Sequence, residues 1–197
     1  MQTFWLVRHA HRLDFSEPEW FDRAIYPYDP PLSPQGHDRA VWLAQKLSDI
    51  KVDRIYTSPF LRTIQTADPL ARLLKLPIQL EWGLCEWLCQ DWTTEFPTTT
   101  PIDELLRYYP NIDAGYQSRL VPCYPETTDA LNIRLNIIAQ KLNDNGDRTI
   151  AIAHKGSVLG IVAALTSNDD WLAHDLPCGG IIKLVKEGER WSGVVDG

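Results

Sequence analysis

Short apolar runs rich in β-branched and aromatic residues alternate with longer amphipathic stretches along most of the chain. RTIAIAH (148–154) is apolar at successive positions, which predicts a strand buried on both faces. The last two runs are separated by a short turn and predict a closing pair of strands. The predicted strands are TFWLVR (3–8), DRIYTS (53–58), LPIQLEW (76–82), RTIAIAH (148–154), GGIIKLVKEG (179–188) and RWSGVVD (190–196).

The amphipathic stretches predict helices between these strands. Ser33 is placed to cap the first helix, and Pro34 stands at its first helical position. Pro59 can open the second helix, and Pro69 should kink or divide it, because proline lacks the N–H that a helix interior needs. The predicted helices are 34–50, 60–74, 128–144 and 155–166.

Strands that alternate with helices predict an α/β fold: three α/β/α layers with a mostly parallel central sheet. The length of 197 residues favours a single domain over 1–197. Residues 83–125 break the alternation with turn-rich segments such as FPTTTP, and show no long periodic stretch. Such a long irregular insertion in a compact domain predicts a segment that covers an active site or binds substrate.

The overall charge limits the classes of partner. The chain has 19 Lys and Arg against 26 Asp and Glu, a net charge of -7, which argues against a general nucleic-acid or anionic-membrane binder. The N-terminal residues lack the pattern of a secretory signal, and no apolar run approaches membrane-spanning length. We therefore expect a cytoplasmic protein in which any basic cluster is local. The sequence does not indicate the oligomeric state.

Four cysteines are scattered along the chain without a paired CxxC motif, which favours free thiols over a disulfide or a zinc site. They are Cys85, Cys89, Cys123 and Cys178.

Basic residues cluster where predicted strands end. Arg8 and His9 end the first strand, Arg62 follows the second, and His154 ends the buried strand. In open α/β sheets ligands bind at these carboxyl ends, where helix N-termini also favour an anion. With Arg12 nearby, the arginine forks suit a tetrahedral dianion, so a phosphoryl group is the predicted ligand.

Two other interpretations concern the same segment. His9 and His11 could bind a metal ion together with His154, but alternate residues of a strand face opposite sides and no carboxylate motif accompanies them. Asp14 is placed to pair with a nearby arginine.

Four motifs then resemble the histidine phosphatase (phosphoglycerate-mutase-like) superfamily over most of the chain. They are LVRHA, YTSPFLRTIQTA, EWGLCEW and IAIAHKGS. The spacing RHAHRLD, with YDPPLSPQG and GLCEW, is most similar to the branch with an RHGxR motif, which includes the suppressor-of-T-cell-receptor-signalling phosphatase domains. A serine usually stands at the position of Arg12 in the mutases, so the resemblance favours a phosphatase.

The resemblance implies a phosphoglycerate-mutase-like fold and a role for each matching residue. His9 is the implied nucleophile, Glu86 the implied acid and base, and His154 contributes to both catalysis and phosphate binding. The implied phosphate-binding residues are Arg8, Arg12, Arg62 and His154. The implied reaction is a metal-independent hydrolysis of a small-molecule or protein phosphomonoester through a phosphohistidine, with no cofactor.

Ala10 departs from the family pattern, in which glycine is usual, and its methyl group would crowd the pocket or shift His9. Two alternatives to the phosphatase follow from these observations. One is a phosphomutase, which returns the phosphoryl group to a substrate; the other is a catalytically silent phosphate-binding module.

The charges and aromatic residues around the site lead to two further expectations. Nearby arginines should lower the pKa of His9 and keep its ring neutral. Four tryptophans in the loops around the site would favour an aromatic or bulky leaving group. They are Trp20, Trp82, Trp87 and Trp92.

Overall fold

A computed structural model describes residues 2–142 and 148–196 and contains one six-stranded sheet in that part of the chain. The strands are β1 (Gln2–Arg8), β2 (Arg54–Thr57), β3 (Ile78–Leu80), β4 (Thr149–Ala153), β5 (Ile181–Glu187) and β6 (Arg190–Val195). Their order in the sheet is β3-β2-β4-β1-β5-β6. The first four strands of this order pair in parallel, and β5 and β6 form an antiparallel hairpin at one edge, where β5 also pairs antiparallel with β1.

Helices pack on both faces of this sheet, which confirms the three-layer α/β/α prediction. The helices are α1 (Trp20–Arg23), α2 (Pro34–Lys46), α3 (Leu61–Leu74), α4 (Ile102–Tyr108), α5 (Thr128–Lys141) and α6 (Lys155–Thr166). One apolar cluster joins one sheet face to α2 and α3, and a second joins the other face to α5 and α6.

The local signals at the first long helix are confirmed. Ser33 caps α2 by accepting a hydrogen bond from the N–H of Gly36 at 3.1 Å, and Pro34 is the first helical residue. All five residues of β4 are buried, as expected for a central parallel strand. The central position of β4 explains why its sequence shows no alternation of polar and apolar residues.

The structure corrects two expectations about helices: Pro69 does not divide the second one, and the insertion 83–125 is not wholly irregular. The helix α3 runs undivided from Leu61 to Leu74 with Pro69 inside, because buried side chains on both sides of the proline, including Ile64 and Leu70, anchor it to the sheet. The segment 83–125 contains α4, whose 7 residues are too few to show the periodic spacing of apolar residues that marks a helix in the sequence. The predicted end of the helix at 143–144 lies outside the described residues.

The four cysteines are free thiols, as predicted, with Cys85 and Cys89 buried. Burial raises the pKa of Cys85 to about 12, so this thiol stays protonated and unreactive. Within the described ranges, no helix combines the length and the apolar character needed to cross a membrane.

The start of α2 packs tightly against the segment after β1. A Cβ atom at Gly36 would lie 2.1 Å from the carbonyl oxygen of His11, which accepts the N–H of Ser33. We expect Gly36→Ala to lower the free energy of unfolding by about 1–3 kcal/mol, because the backbone must move to admit the methyl group. Urea unfolding measures the change. Gly156→Ala in α6 is the control: its Cβ meets nothing within 4 Å, so equal destabilisation by both variants would contradict this account.

Candidate active site

The parallel register of β1 and β4 brings two histidines together. Arg8 lies opposite Ala153, so His9 and His154 both follow the carboxyl ends of adjacent strands. The N–H of His9 donates to the carbonyl of Ala153 at 2.9 Å, and the two imidazole centroids are 5.3 Å apart. The sheet therefore fixes the relative position of two rings that are 145 residues apart in the chain (154 − 9).

A backbone hydrogen bond fixes the tautomer of His9. Its Nδ1 lies 2.8 Å from the carbonyl oxygen of Ala10. A carbonyl only accepts hydrogen bonds, so Nδ1 carries the proton and the lone pair of the neutral ring lies on Nε2. Such an orientation suits a nucleophilic nitrogen.

The methyl group of Ala10 packs inside the fold. Ala10 is fully buried with Leu32 and Ala40 in a small apolar cluster, and its N–H donates to Thr66 Oγ1 at 3.0 Å. Ala10 therefore packs against the segment that leads into α2, and its effect on the pocket and on the position of His9 stays a prediction.

Both histidines are held neutral by their surroundings. Burial is the main reason that the pKa of His9 lies well below 6.5, followed by the charge of Arg62, with smaller contributions from Arg12 and Arg8. Burial also lowers the pKa of His154, and Arg62 is again the next cause. The predicted direction for His9 is thus confirmed, but burial outweighs the arginines.

Arg62, in the first turn of α3, provides a buried positive charge beside these rings. Its side chain is 2% exposed, and its two terminal nitrogens contact His154 Nδ1 at 3.3 Å and the carbonyl of Tyr28 at 3.4 Å. Burial lowers the pKa of Arg62 to about 10, so it stays charged at neutral pH. Its buried Nε has no hydrogen-bond partner among the described residues, as expected for a donor that awaits a ligand.

The carboxyl group of Glu86 lies beside His154 and Arg62. Its Oε2 is 3.4 Å from His154 Nδ1 and 4.0 Å from the guanidinium of Arg62, and the side chain is 25% exposed. The Nε2 of His154 contacts Ser58 Oγ at 2.9 Å, so Ser58 orients the ring from the opposite side. The structure therefore brings Glu86 to the histidine pair, as the sequence predicts.

Arg12 and Arg8 occupy different surroundings. Arg12 pairs with Asp14, as predicted for that carboxylate, and its guanidinium lies 4.6 Å from the ring centroid of Phe15. Arg12 lines the cavity above the site together with Arg62. Arg8 is tied to the carbonyl of Leu176 at 2.7 Å through one terminal nitrogen, while its buried Nε has no partner in the described chain.

The expectation of a free anion-binding N-terminus is wrong for α3. The N–H of Leu61 donates to Asp29 Oδ1 at 2.6 Å, so a protein carboxylate already occupies this helix end. Thr100 donates to the other oxygen of Asp29 through both its N–H and its hydroxyl. Burial raises the pKa of Asp29, while these hydrogen bonds and the charge of Arg62 act in the opposite direction.

Asp29 and the ion pair Glu126–Arg134 are the main residues that sequence reasoning missed. Arg134 donates to the backbone carbonyls around Glu86 and pairs with Glu126, and both side chains are 3% exposed. A signal was present: Arg134 falls on the buried face of α5 with Leu135 and Ile138. A charged residue on an otherwise apolar helix face needs a partner.

An apolar cavity of about 600 Å³ opens above the charged groups. Three of the four predicted tryptophans line it: Trp20, Trp87 and Trp92. Trp82 instead packs against Phe60 and Phe96. The cavity thus joins a cationic base with an aromatic wall, an arrangement that suits an anionic group attached to an apolar body.

The same site also offers a set of metal-ligand atoms. His9, Glu86 and His154 present ligand atoms within 4.8 Å of one another. His11, the third histidine of the alternative metal site, instead contacts Ser33 Oγ at 3.0 Å. The adjacent positive charge of Arg62 opposes a cation and favours an anion at this position.

The two neutral histidines predict how stability depends on pH. Below the ordinary histidine pKa of 6.5, both histidines are protonated in the unfolded chain but stay neutral in the folded one. The free energy of unfolding therefore falls as the pH falls. We expect a loss of up to about 1.4 kcal/mol per pH unit for each ring. Urea unfolding between about pH 7 and pH 5 measures it. His9→Gln and His154→Gln should each flatten this dependence; slopes equal to that of the wild type would contradict the assignment.

Two curated relatives match part of the chain. The 55 kDa subunit of transcription factor tau from Saccharomyces cerevisiae is 30% identical over 132 residues, which is 62% of this chain and 29% of the yeast protein. The ubiquitin-associated and SH3 domain-containing protein A of Mus musculus is 33% identical over 101 residues, or 48% of this chain and 16% of the mouse protein. The match therefore spans less than a third of either relative.

A solved structure and a family model cover nearly the whole chain. The ecdysone phosphate phosphatase from Bombix mori, in complex with tungstate, superposes with a TM-score of 0.79 at 20% identity, over 98% of this chain and 92% of that one. This likeness shows that the fold is phosphoglycerate-mutase-like, as predicted. The model of the histidine phosphatase superfamily (branch 1) matches residues 4–195. His9 and His154 lie next to each other at the carboxyl ends of β1 and β4 within the matched residues. The chain belongs to the histidine phosphatase superfamily.

Proposed function

We propose that this protein is a phosphomonoesterase that works through a phosphohistidine on His9. The observation that carries the proposal is the neutral His9 ring, with Nδ1 bound to a carbonyl and Nε2 as the nucleophilic nitrogen, in a site with a buried guanidinium. Membership of a phosphatase superfamily supports the same reaction class.

In the first step, Nε2 of His9 attacks phosphorus as the bond to the leaving oxygen breaks. Protonated Glu86 gives its proton to that oxygen, and the products are a phosphohistidine and an alcohol. The barrier comes mainly from charge on the phosphoryl oxygens. Arg62 and Arg12 face the cavity and offset this charge, and Arg8 adds to the positive potential around His9.

In the second step, water attacks phosphorus and the ionised Glu86 takes its proton. The phosphorus–nitrogen bond breaks, its electron pair returns to Nε2, and inorganic phosphate leaves. Neither step needs a metal ion, because guanidinium groups supply the charge that Mg²⁺ supplies in many other phosphoryl-transfer enzymes.

The apolar wall of the cavity supports a bulky or aromatic leaving group. Trp87 and Trp92 are in edge-to-face contact, with ring centroids 5.4 Å apart, and Trp92 is 57% exposed. A small-molecule phosphomonoester or a phosphorylated side chain would fit this description. The cytoplasmic location, the single domain over 1–197, and the absence of nucleic-acid and membrane partners stay predictions.

The phosphomutase and the silent binding module are distinguished from the phosphatase by their products. A mutase forms an isomeric phosphate without releasing inorganic phosphate, and a silent module binds vanadate without turnover. The Arg12 that replaces the usual serine of mutases favours release of phosphate.

We expect p-nitrophenyl phosphate to be hydrolysed in excess EDTA by the wild type and not by a folded His9→Ala variant. The reason is that the proposed mechanism uses His9 as the nucleophile. Acid-labile phosphate on the wild-type chain, trapped by rapid denaturation, should be absent from the variant. Arg148→Ala, which removes an exposed side chain at an ion pair with Asp53, is the control for effects that any substitution far from the site could have. A variant at His9 that keeps the wild-type rate would rule out this mechanism.

Trp92→Ala tests the leaving-group preference. We expect kcat/KM for 1-naphthyl phosphate to fall about tenfold, because roughly 1.5 kcal/mol of apolar contact is lost. The value for methyl phosphate should change less than twofold, since a methyl group does not reach the tryptophan. Equal changes for the two substrates would remove Trp92 from substrate recognition.

A further inference from the structure

A fully buried ion pair lies directly behind the segment that carries Glu86. Arg134 Nε is 2.7 Å from Glu126 Oε1, and a terminal nitrogen is 2.7 Å from Glu126 Oε2. This pair joins α5 to the residue just before that helix and its cap. Removing such a pair from water costs free energy, and further hydrogen bonds to its remaining donors and acceptors are needed to offset that cost.

Those remaining hydrogen bonds all end on one short stretch of backbone. Arg134 donates to the carbonyls of Gly83 at 2.9 Å, Cys85 at 3.1 Å and Glu86 at 3.3 Å. An arginine has five N–H donors. Two of them reach Glu126 and three reach these carbonyls, so the guanidinium is saturated by contacts that define the path of this backbone.

Glu126 holds the same stretch from its other end. Its Oε2 accepts the N–H of Leu88 at 3.3 Å, and its backbone carbonyl accepts the indole N–H of Trp87 at 2.8 Å. Its own N–H donates to the carbonyl of Leu88 at 2.9 Å. Glu86 is therefore flanked on both sides by residues that the ion pair fixes.

The backbone around Glu86 has no regular structure of its own. It follows a 3₁₀ turn at Trp82–Leu84 and pairs with no strand. Apart from the ion pair, Ser157 of α6 also donates to the carbonyl of Cys85, at 2.7 Å. The place of the carboxyl group beside His154 thus depends on side chains of α5 and α6.

We propose that Arg134 is the positioning residue for the general acid, and that it acts by holding the carbonyls of Gly83, Cys85 and Glu86 through its planar fork. The proposal rests on the proposed function of Glu86. The carboxyl group lies 3.4 Å from His154 Nδ1, and a displacement of about 1 Å is enough to lose alignment with a leaving oxygen. Arg134 itself contacts no reacting atom.

The test uses the leaving group as a readout. p-Nitrophenolate leaves without a proton, whereas an alkoxide needs one, so loss of the acid slows alkyl phosphates selectively. The quantity to compare is kcat/KM, which reports phosphoryl transfer to His9 and excludes the later hydrolysis of the phosphohistidine. The substrates are p-nitrophenyl phosphate and 2-phenylethyl phosphate. Glu86→Gln shows how far the two kcat/KM values diverge when the acid itself is lost.

Arg134→Lys is the main variant, because lysine keeps the charge opposite Glu126 but has only three donors and no planar fork. We expect kcat/KM for the alkyl phosphate to fall about tenfold to a hundredfold, a partial loss of the roughly 10²- to 10⁴-fold that general acid catalysis contributes. The value for p-nitrophenyl phosphate should fall less than about threefold. Arg148→Lys, at the exposed two-bond pair with Asp53, is the matched control and should leave both values unchanged.

If Arg134→Lys does not fold, the double variant Glu126→Gln/Arg134→Met takes its place. The double variant removes both charges of the buried pair, so neither is left without a partner. It should show the same selective loss of alkyl phosphate turnover, while inhibition by vanadate stays at the wild-type level. Equal loss on both substrates, or no loss, in folded variants would overturn the positioning role. If Glu86→Gln itself shows no selectivity, the acid assignment fails instead, and the positioning role fails with it.

Discussion

The buried charge of Arg62 is the constraint on which the rest of the site depends. A guanidinium removed from water needs acceptors or a counter-ion, and here it finds a carbonyl of Tyr28, a ring nitrogen of His154 and the nearby carboxyl of Glu86. Burial is the main reason that both imidazoles stay neutral, and the charge of Arg62 is the next cause. One buried side chain thus prepares an anion site and adds to the effect of burial that keeps the nucleophile unprotonated.

Buried carboxylates perform a second task, which is to hold the irregular loops. Asp29 joins the segment before α2 to the start of α3 and to Thr100. Glu81 accepts hydrogen bonds from Tyr116, Ser118 and the N–H of Arg119. Each carboxylate satisfies donors that have no partner in a helix or strand, so the irregular parts of the insertion are held by side-chain hydrogen bonds.

The sequence was most informative where a local rule applies. Ser33 and Pro34 marked the start of α2, and the unbroken apolar character of β4 marked a strand covered on both faces. The motifs also pointed to His9, Arg62, Glu86 and His154 as one group. Pro69 does not divide its helix, because packing of α3 against the sheet outweighs the hydrogen bond that the proline lacks.

By itself the sequence determined the order of the six strands and the four long helices, the family, and the residues that end the strands, since each depends on local composition or on short motifs. Only the tertiary structure decided that Asp29 occupies the start of α3, that Ala10 packs inward, and that Arg134 reaches the backbone at Glu86. The contacts of Arg134 with this backbone join residues up to 51 positions apart, as with Arg134 and Gly83. They form because buried polar groups must find partners in space, and no local pattern encodes which partner that is.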